Sequence, residues 1–167
     1  IMDCLQKIQS SSDYLLGLIN DVLDMSKIES GKMKLEVFSF ESNEMLDTIK
    51  ELIMPQAALK NITFIQDIQL THGFFTADRM RISQVLINLL GNAVKFTPAK
   101  GRITLTVREE QAHESMGQGM PGMVPVYFAV SDTGIGIAAE DQDRVFRSFE
   151  QAVDRNPSKQ QGTGLGL

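Results

Sequence analysis

A mostly apolar stripe runs along the first thirty residues at alternating steps of three and four, the spacing of one face of an α-helix. Its members are Leu5, Ile8, Ser12, Leu15, Ile19 and Val22. Leu16, Leu18, Leu23 and Ile28 widen this face beyond the seam of a two-stranded coiled coil. We therefore predict a long helix that ends at Gly31 and needs partner helices, with a four-helix bundle favoured over a lone zipper. The alternative is a long helix that packs on its own domain.

After this helix the pattern changes to short alternating segments and amphipathic helices. The predicted strands cover residues 32–40, 62–68, 74–77, 102–108 and 124–131. One helix carries Met45 to Ile53, and Pro55 should kink it or limit it near its end. A second helix is capped by Asp78 and runs to about Phe96. The remaining predictions are a surface insertion over 109–125, a short helix over 141–149 and a polar lid over 151–161.

Composition limits the classes of function. A length of 167 residues suits one packed domain plus an appended element, and the net charge of -5 argues against nucleic acid as a partner. The single cysteine, Cys4, can form no intrachain disulfide, which favours a reducing compartment such as the cytoplasm. The longest aliphatic stretch, Val85–Leu90, is far shorter than the roughly 20 residues of a bilayer span. We expect attachment to a membrane only through parts outside this chain.

The helix after Asp78 carries a polar stripe beside its apolar face. Its predicted buried residues are Met80, Val85, Leu86, Leu89, Leu90 and Ala93, and the polar stripe consists of Arg81, Asn88, Asn92 and Lys95. Two amide carbonyls one turn apart can help to hold Mg²⁺ with its waters and phosphate oxygens, and Lys95 can contact a phosphate. The alternative is a solvated helix face, which would be favoured if this helix stood alone.

The segment Asp132-Thr-Gly-Ile-Gly136 directly follows the last predicted strand. A carboxylate at a strand end, on a close-fitting glycine loop, can accept a hydrogen bond from an exocyclic amine such as that of adenine. An ordinary turn initiated by Asp is the stronger interpretation of Asp-Thr-Gly alone. Aspartic proteases use the same three letters twice, whereas this sequence contains them once, so a protease would have to be an obligate homodimer.

A glycine-rich run, Gly162 to Leu167, stands at the end of the sequence and is predicted to open a helix. Glycines in such a turn let the backbone approach phosphates, and exposed amides at a helix N-terminus attract negative charge. Alone the run is weak evidence, because glycine clusters also mark ordinary turns and chain termini.

Four segments together resemble the boxes of the sensor histidine kinase catalytic domain, in the superfamily of gyrase, heat-shock protein 90, histidine kinase and mismatch-repair ATPases. They are Asn88–Thr97, Asp132–Gly136, Phe146–Gln151 and Gly162–Leu167. Ser26–Gly31 resembles the end of the second helix of the dimerisation and phosphoacceptor hairpin, and Asp78–Leu86 resembles the entry into the asparagine-bearing helix.

The resemblance implies an α+β fold, a two-layer α/β sandwich whose mixed, largely antiparallel sheet has helices on one face, preceded by a long bundle-forming helix. It implies that residues 1–31 are the second hairpin helix and that residues 32–167 are an ATP-binding catalytic domain that is incomplete at its C-terminus. The implied cofactors are ATP and Mg²⁺. The implied partners are a response-regulator receiver domain and a second copy, which pairs through the bundle helix.

Residue roles follow from the same resemblance. Asn88 and Asn92 become the Mg²⁺-associated pair, and Lys95 becomes a phosphate contact. Asp132 becomes the adenine-binding carboxylate, and Gly134 and Gly136 shape the adenine pocket. The phosphate side is assigned to Gly162, Thr163, Gly164, Leu165 and Gly166. Phe146 and Phe149 are expected to anchor the lid rather than to touch nucleotide, a role that apolar residues of any short helix would share.

The choice between kinase and ATPase rests on Asn88. An amide cannot act as a general base near neutral pH, whereas a histidine acceptor needs mainly positioning against the γ-phosphate. Transfer to histidine is therefore favoured over the alternative, an ATP-hydrolysing or nucleotide-gated member without kinase activity. His72 lies in a predicted turn, and His113-Glu114 lacks the Arg-Thr-Pro that follows the acceptor in the family. We predict that neither is phosphorylated and that the acceptor lies on a helix upstream of Ile1.

Overall fold

The computed structural model describes residues 2–110 and 124–142. Its first helix, α1, spans Met2–Glu29. Gly31 follows with a φ of 64°, and the amide of Lys32 donates to the carbonyl of Lys27 at 2.9 Å. A left-handed glycine of this kind is a common helix terminator, so the predicted helix end is confirmed.

The chain divides into two compact units, one of which comprises Glu36–Gly136, while α1 belongs to the other. The strands are β1 (Phe38–Glu41), β2 (Thr63–Gln69), β3 (Phe74–Ala77), β4 (Arg102–Glu109) and β5 (Val126–Asp132). The helices are α2 (Ser42–Leu59) and α3 (Arg79–Phe96), and a short 3₁₀ turn covers Ala139–Asp141.

The strands form two sheets. β1 and β3 pair antiparallel in one sheet, and the other has the order β2-β4-β5, with a parallel β2-β4 pair and an antiparallel β4-β5 pair. Two of the three pairings are therefore antiparallel. The predicted α+β class with a mixed, largely antiparallel sheet is confirmed.

The core of the unit Glu36–Gly136 lies between α2, α3 and one face of β4. Ile103, Leu105 and Val107 alternate along β4 and are completely buried, as expected for a central strand with one face covered. They belong to one cluster with the buried residues of α2 and α3. The aromatic rings of Phe75 and Phe128, from strands of different sheets, meet edge to face at 5.8 Å.

One predicted element bound was wrong, and a second element, the helix with Pro55, fits its prediction. The strand expected over residues 32–40 begins only at Phe38, and the preceding Leu35 and Val37 are about 60% exposed. The alternation of apolar and other side chains over residues 32–37 therefore did not indicate that these residues pair with another strand. The helix with Pro55 continues to Leu59, so the proline stands four residues before the helix end, in keeping with the predicted limit near its end. Ile53 and Ala57, on either side of the proline, are 1% exposed, so packing against the core keeps the helix in place.

The buried face of α3 is narrower than predicted. Leu86, Leu90 and Ala93 are buried as expected, and Val94 joins them. Met80 and Val85 were predicted to be buried but are 68% and 57% exposed. Leu86, Leu90 and Ala93 repeat at steps of four and three, and Val85 falls outside that stripe, while Met80 lies in the first turn of the helix. Leu89, also predicted to be buried, is half-buried.

Several predicted segments lie partly or wholly outside the described residues. Within the insertion, residues 111–123 are not described, but the amide of Glu110 donates to the carbonyl of Pro125 at 2.9 Å. Of the short helix expected over 141–149, the description reaches residue 142, and the polar segment 151–161 is outside it. Among the helices of the described ranges, none is long and apolar enough to cross a membrane.

Candidate functional site

Helix α3 begins at a well-formed cap. The Oδ1 of Asp78 accepts the amide of Arg81 at 3.1 Å, and its Oδ2 accepts the amide of Glu36 at 3.0 Å. The hydrogen bond from Glu36, followed by that from Arg81, lowers the pKa of Asp78 below its ordinary value. The predicted cap is confirmed, and it ties the start of α3 to the residues just before β1.

The predicted polar stripe begins with Arg81 in the first turn of α3, where its guanidinium donates to Gln84, and its other three residues lie on the middle and end of the helix. Asn88 is exposed, while Asn92 and Lys95 are half-buried. The four-residue step from Asn88 to Asn92 advances about 6 Å along the helix, so the two amides stand one above the other. The ammonium of Lys95 lies 5.0 Å from the centroid of the Phe96 ring. The stripe therefore offers two stacked amides followed by a cation.

Asp132 is the last residue of β5 and starts a tight turn. Its Oδ1 accepts the amide of Gly134 at 2.7 Å. Thr133 holds the turn to the start of β4, because its amide donates to the carbonyl of Arg102 at 3.1 Å and its Oγ1 accepts the amide of Arg102 at 2.9 Å. The Asp-initiated turn is thus formed, and its carboxylate stays exposed at the end of the strand. Gly136 follows with a φ of 68°.

The turn of Asp132 lies against the end of α3. A Cβ placed on Gly134 would come 2.8 Å from the carbonyl oxygen of Phe96, closer than real Cβ atoms approach. Only glycine therefore allows the backbone of this turn to contact the last turn of α3. The structure brings the Asp132 turn together with the helix end that carries Lys95, one turn beyond Asn92.

One residue at this junction has no counterpart in the predicted site. The Nζ of Lys60, from the end of α2, donates to the carbonyls of Val94 at 2.7 Å and Lys95 at 2.8 Å. Lys60 precedes Val94 by 34 residues, and no local pattern in the sequence indicates so distant a contact.

The asparagine pair suits a metal ion only when other oxygen ligands complete its coordination. Amide oxygens are acceptable ligands for Mg²⁺, which prefers oxygen donors and keeps several waters or phosphate oxygens. Across residues 2–110 and 124–142, no group of three or more His, Cys, Asp or Glu side chains is placed to hold a metal. The donor set of Asn88 and Asn92 therefore fits a cation that arrives with phosphates rather than a resident ion.

The other predicted site residues lie outside the described ranges. These are Phe146, Phe149, Gly162, Thr163, Gly164, Leu165 and Gly166. Their roles stay predictions.

Comparison with known proteins identifies the family. The model of the histidine kinase-, DNA gyrase B- and HSP90-like ATPases matches residues 77–167, more than half of the chain. The chain belongs to this ATPase family. The match begins at the last residue of β3 and so includes α3 and the Asp132 turn.

Among similar members of the ATPase family, the circadian input-output histidine kinase CikA of Synechococcus elongatus is 38% identical over 98% of this chain and 20% of its own length. The crystal structure of full-length ShkA in complex with AMPPNP has a TM-score of 0.72 and 32% identity, covering 94% of this chain and 30% of ShkA. The complex of histidine kinase ThkA with response regulator protein TrrA has a TM-score of 0.61 and 26% identity. This match covers 84% of the present chain and 38% of the chain in that complex.

These comparisons confirm the predicted fold class, and together with the family match they support ATP as the nucleotide. The chain spans about a fifth of the length of the curated relatives it matches.

Proposed function

We propose that this chain is the ATP-binding catalytic region of a sensor histidine kinase. In the intact protein, the γ-phosphoryl group of ATP passes to a histidine and then to an aspartate of a response regulator. The observation that carries the proposal is the contact between the Asp132 turn and the end of α3. It puts a carboxylate suited to adenine next to the helix that bears Asn92 and Lys95.

Each side chain has a separate part in holding the nucleotide. The exposed carboxylate of Asp132 accepts a hydrogen bond from the exocyclic amine of adenine. The amide of Gly134 holds this carboxylate by donating to its Oδ1 at 2.7 Å. The ammonium of Lys95 contacts a phosphate. Asn88 and Asn92 contribute amide oxygens to Mg²⁺, which when bound screens the phosphate charges. Gly136 shapes the adenine side, and the segment Gly162–Gly166 covers the phosphates.

The acceptor histidine belongs to another part of the protein. His72 lies in the turn between β2 and β3, where its Nδ1 is 3.1 Å from Oε1 of Glu109, rather than on a bundle helix. His113 lies outside the described residues. We propose that neither accepts a phosphoryl group. Because the amide of Asn88 cannot activate water, transfer is favoured over hydrolysis.

The remaining assignments concern the intact protein. Residues 1–31 form the second helix of a dimerisation hairpin, and residues 32–167 belong to the catalytic domain. Leu15, Ile19 and Val22 of α1 are about half exposed, as unpartnered bundle positions would be. The response regulator in the ThkA complex supports a receiver domain as partner. The region works in the cytoplasm, contacts a membrane only through other parts of the protein and has no nucleic-acid partner.

The test is calorimetric titration of the chain with Mg²⁺ and AMPPNP. Asp132→Ala removes a charge-assisted hydrogen bond and should weaken binding by about tenfold or more. Asp47→Ala, which removes an exposed carboxylate of α2, is the matched control and should bind like wild type. Equal affinities for wild type and Asp132→Ala would refute the assignment of the site.

A further inference from the structure

Lys60 makes three hydrogen bonds to the end of α3. It is half-buried, and its ammonium donates to the carbonyls of Val94, Lys95 and Thr97 at 2.7, 2.8 and 3.4 Å. A lysine ammonium has three N–H groups. The ammonium therefore has enough donors for the three carbonyls at this helix terminus.

The end of a helix needs such donors. The last four carbonyls of an α-helix have no partner within the helix, and the dipole places partial negative charge there. The amide of Thr97 closes the helix by donating to Ala93 at 2.9 Å. Lys60 then supplies both hydrogen bonds and positive charge to the carbonyls that follow.

The backbone of Lys60 is itself held in place. Its amide donates to the carbonyl of Ala57 at 3.1 Å, and its carbonyl accepts the amide of Lys100 at 3.2 Å. Three residues further along the chain, at the start of β2, the amide of Thr63 donates to the carbonyl of Gly101 at 2.9 Å. The ammonium therefore extends from a fixed base at the junction of α2, β2 and the turn before β4.

The carbonyls that Lys60 contacts flank the one that supports the Asp132 turn. Phe96 lies between Lys95 and Thr97 in the chain, and its carbonyl oxygen is where Gly134 packs. Gly101 reinforces the junction, because a Cβ there would overlap Thr97 and lie 3.0 Å from Oγ1 of Thr133. A shift of the last turn of α3 would therefore move the Asp132 turn with it.

We propose that Lys60 is a positioning residue for nucleotide binding. It touches no nucleotide and fixes the end of α3, so that the Asp132 carboxylate stays at the correct place for adenine. The inference rests on the proposed function. Because its effect passes through the adenine side, the loss of Lys60 weakens the binding of ADP and of AMPPNP to the same degree.

The experiment compares Lys60→Met, Lys60→Arg and Lys50→Met by calorimetric titration of the chain with Mg²⁺ and either nucleotide. Lys60→Met should weaken both affinities by about tenfold, which is the effect of losing the charged hydrogen bond between Asp132 and adenine. Lys60→Arg keeps a cation with several donors and should recover most of the affinity. Lys50 is an exposed lysine of α2, the helix that Lys60 caps, and its variant should bind like wild type.

Amide hydrogen exchange separates local positioning from general loss of stability. In Lys60→Met the amide of Gly134, which donates to Asp132, should exchange faster, while buried β4 residues such as Leu105 keep their protection. Faster exchange throughout the chain would overturn the positioning role. If Lys60→Met does not fold, Lys60→Gln replaces it, with the same expectations.

The titrations also distinguish failure of the proposed function from failure of the role proposed for Lys60. If wild type binds neither nucleotide, the proposed function fails. If wild type binds and the Lys60 variant has unchanged affinity for both, only the role of Lys60 fails. If AMPPNP alone is weakened, Lys60 acts through the phosphate side, and its proposed role in positioning Asp132 fails.

Discussion

At the scale of single residues, Gly134 decides whether the candidate site can form. A Cβ at this position would lie 2.5 Å from Oδ1 of Asp132 and 2.8 Å from the carbonyl oxygen of Phe96. The Asp132 oxygen belongs to a side chain, but the Phe96 oxygen belongs to the backbone of the helix end and cannot rotate away. The backbone would have to move to admit even one methyl group.

Gly134→Ala should therefore destabilise the fold by about 1–3 kcal/mol and weaken nucleotide binding. Gly91→Ala is the matched control, because a Cβ at Gly91 has no atom within 4 Å and alanine favours a helix interior by about 1 kcal/mol. For both variants, urea unfolding measures the stability and titration with AMPPNP measures the affinity for nucleotide. A Gly134→Ala variant with the stability and affinity of wild type would contradict the contact between the turn and α3.

At the scale of elements, the turn between β2 and β3 depends on one carboxylate of β4. Oε1 of Glu109 accepts the amides of Thr71 at 2.9 Å and His72 at 2.7 Å, and lies 3.1 Å from Nδ1 of His72. The hydrogen bond from the His72 amide is the main reason that the pKa of Glu109 is lowered. The turn is thereby joined to the strand at the centre of the sheet.

This contact predicts a pH dependence of stability. Because the folded pKa of Glu109 lies below the unfolded one, its contribution is present above the unfolded pKa and is lost as the pH falls through the folded pKa. Glu109→Gln should therefore be less stable than wild type near pH 7, and the difference should shrink below about pH 4. Urea unfolding across this range measures it, with Glu51→Gln, an exposed residue of α2, as control. A difference that is independent of pH would exclude the carboxylate as its cause.

Elements with local signals were predicted well from the sequence. Asp78 marks the start of α3 and Thr97-Pro98 its end, and both signals act within one turn of the helix. The exposure of Met80 and Val85 was not predicted, because it depends on which side of α3 meets the sheet. Lys60 and the tight fit at Gly134 were missed for a related reason. Both depend on contacts between segments more than thirty residues apart.

At the scale of the whole molecule, the proposed function divides ATP binding and phosphoryl transfer between different parts of the protein. In that proposal the described residues hold adenine and begin the phosphate site, whereas His72 is held in a turn by Glu109. Incubation of this chain with Mg²⁺ and ATP should therefore give no acid-labile phosphohistidine, while the intact protein should give it. The control in the intact protein is His72→Ala, which should leave labelling unchanged.

Two other outcomes would change the proposal. Phosphohistidine on the isolated chain would disprove the separation of acceptor and catalytic region. Steady release of phosphate that survives removal of the acceptor histidine from the intact protein would instead identify a hydrolysing ATPase.

Helix α3 is attached to the rest of its unit at both ends, by Asp78 at its start and by Lys60 at its finish. A helix fixed in this way has little freedom to slide or rotate when a ligand arrives. The conformational entropy of placing the backbone of Asn88 and Asn92 is therefore lost during folding rather than during binding. Whatever ordering the nucleotide must still bring about falls on segments other than this helix.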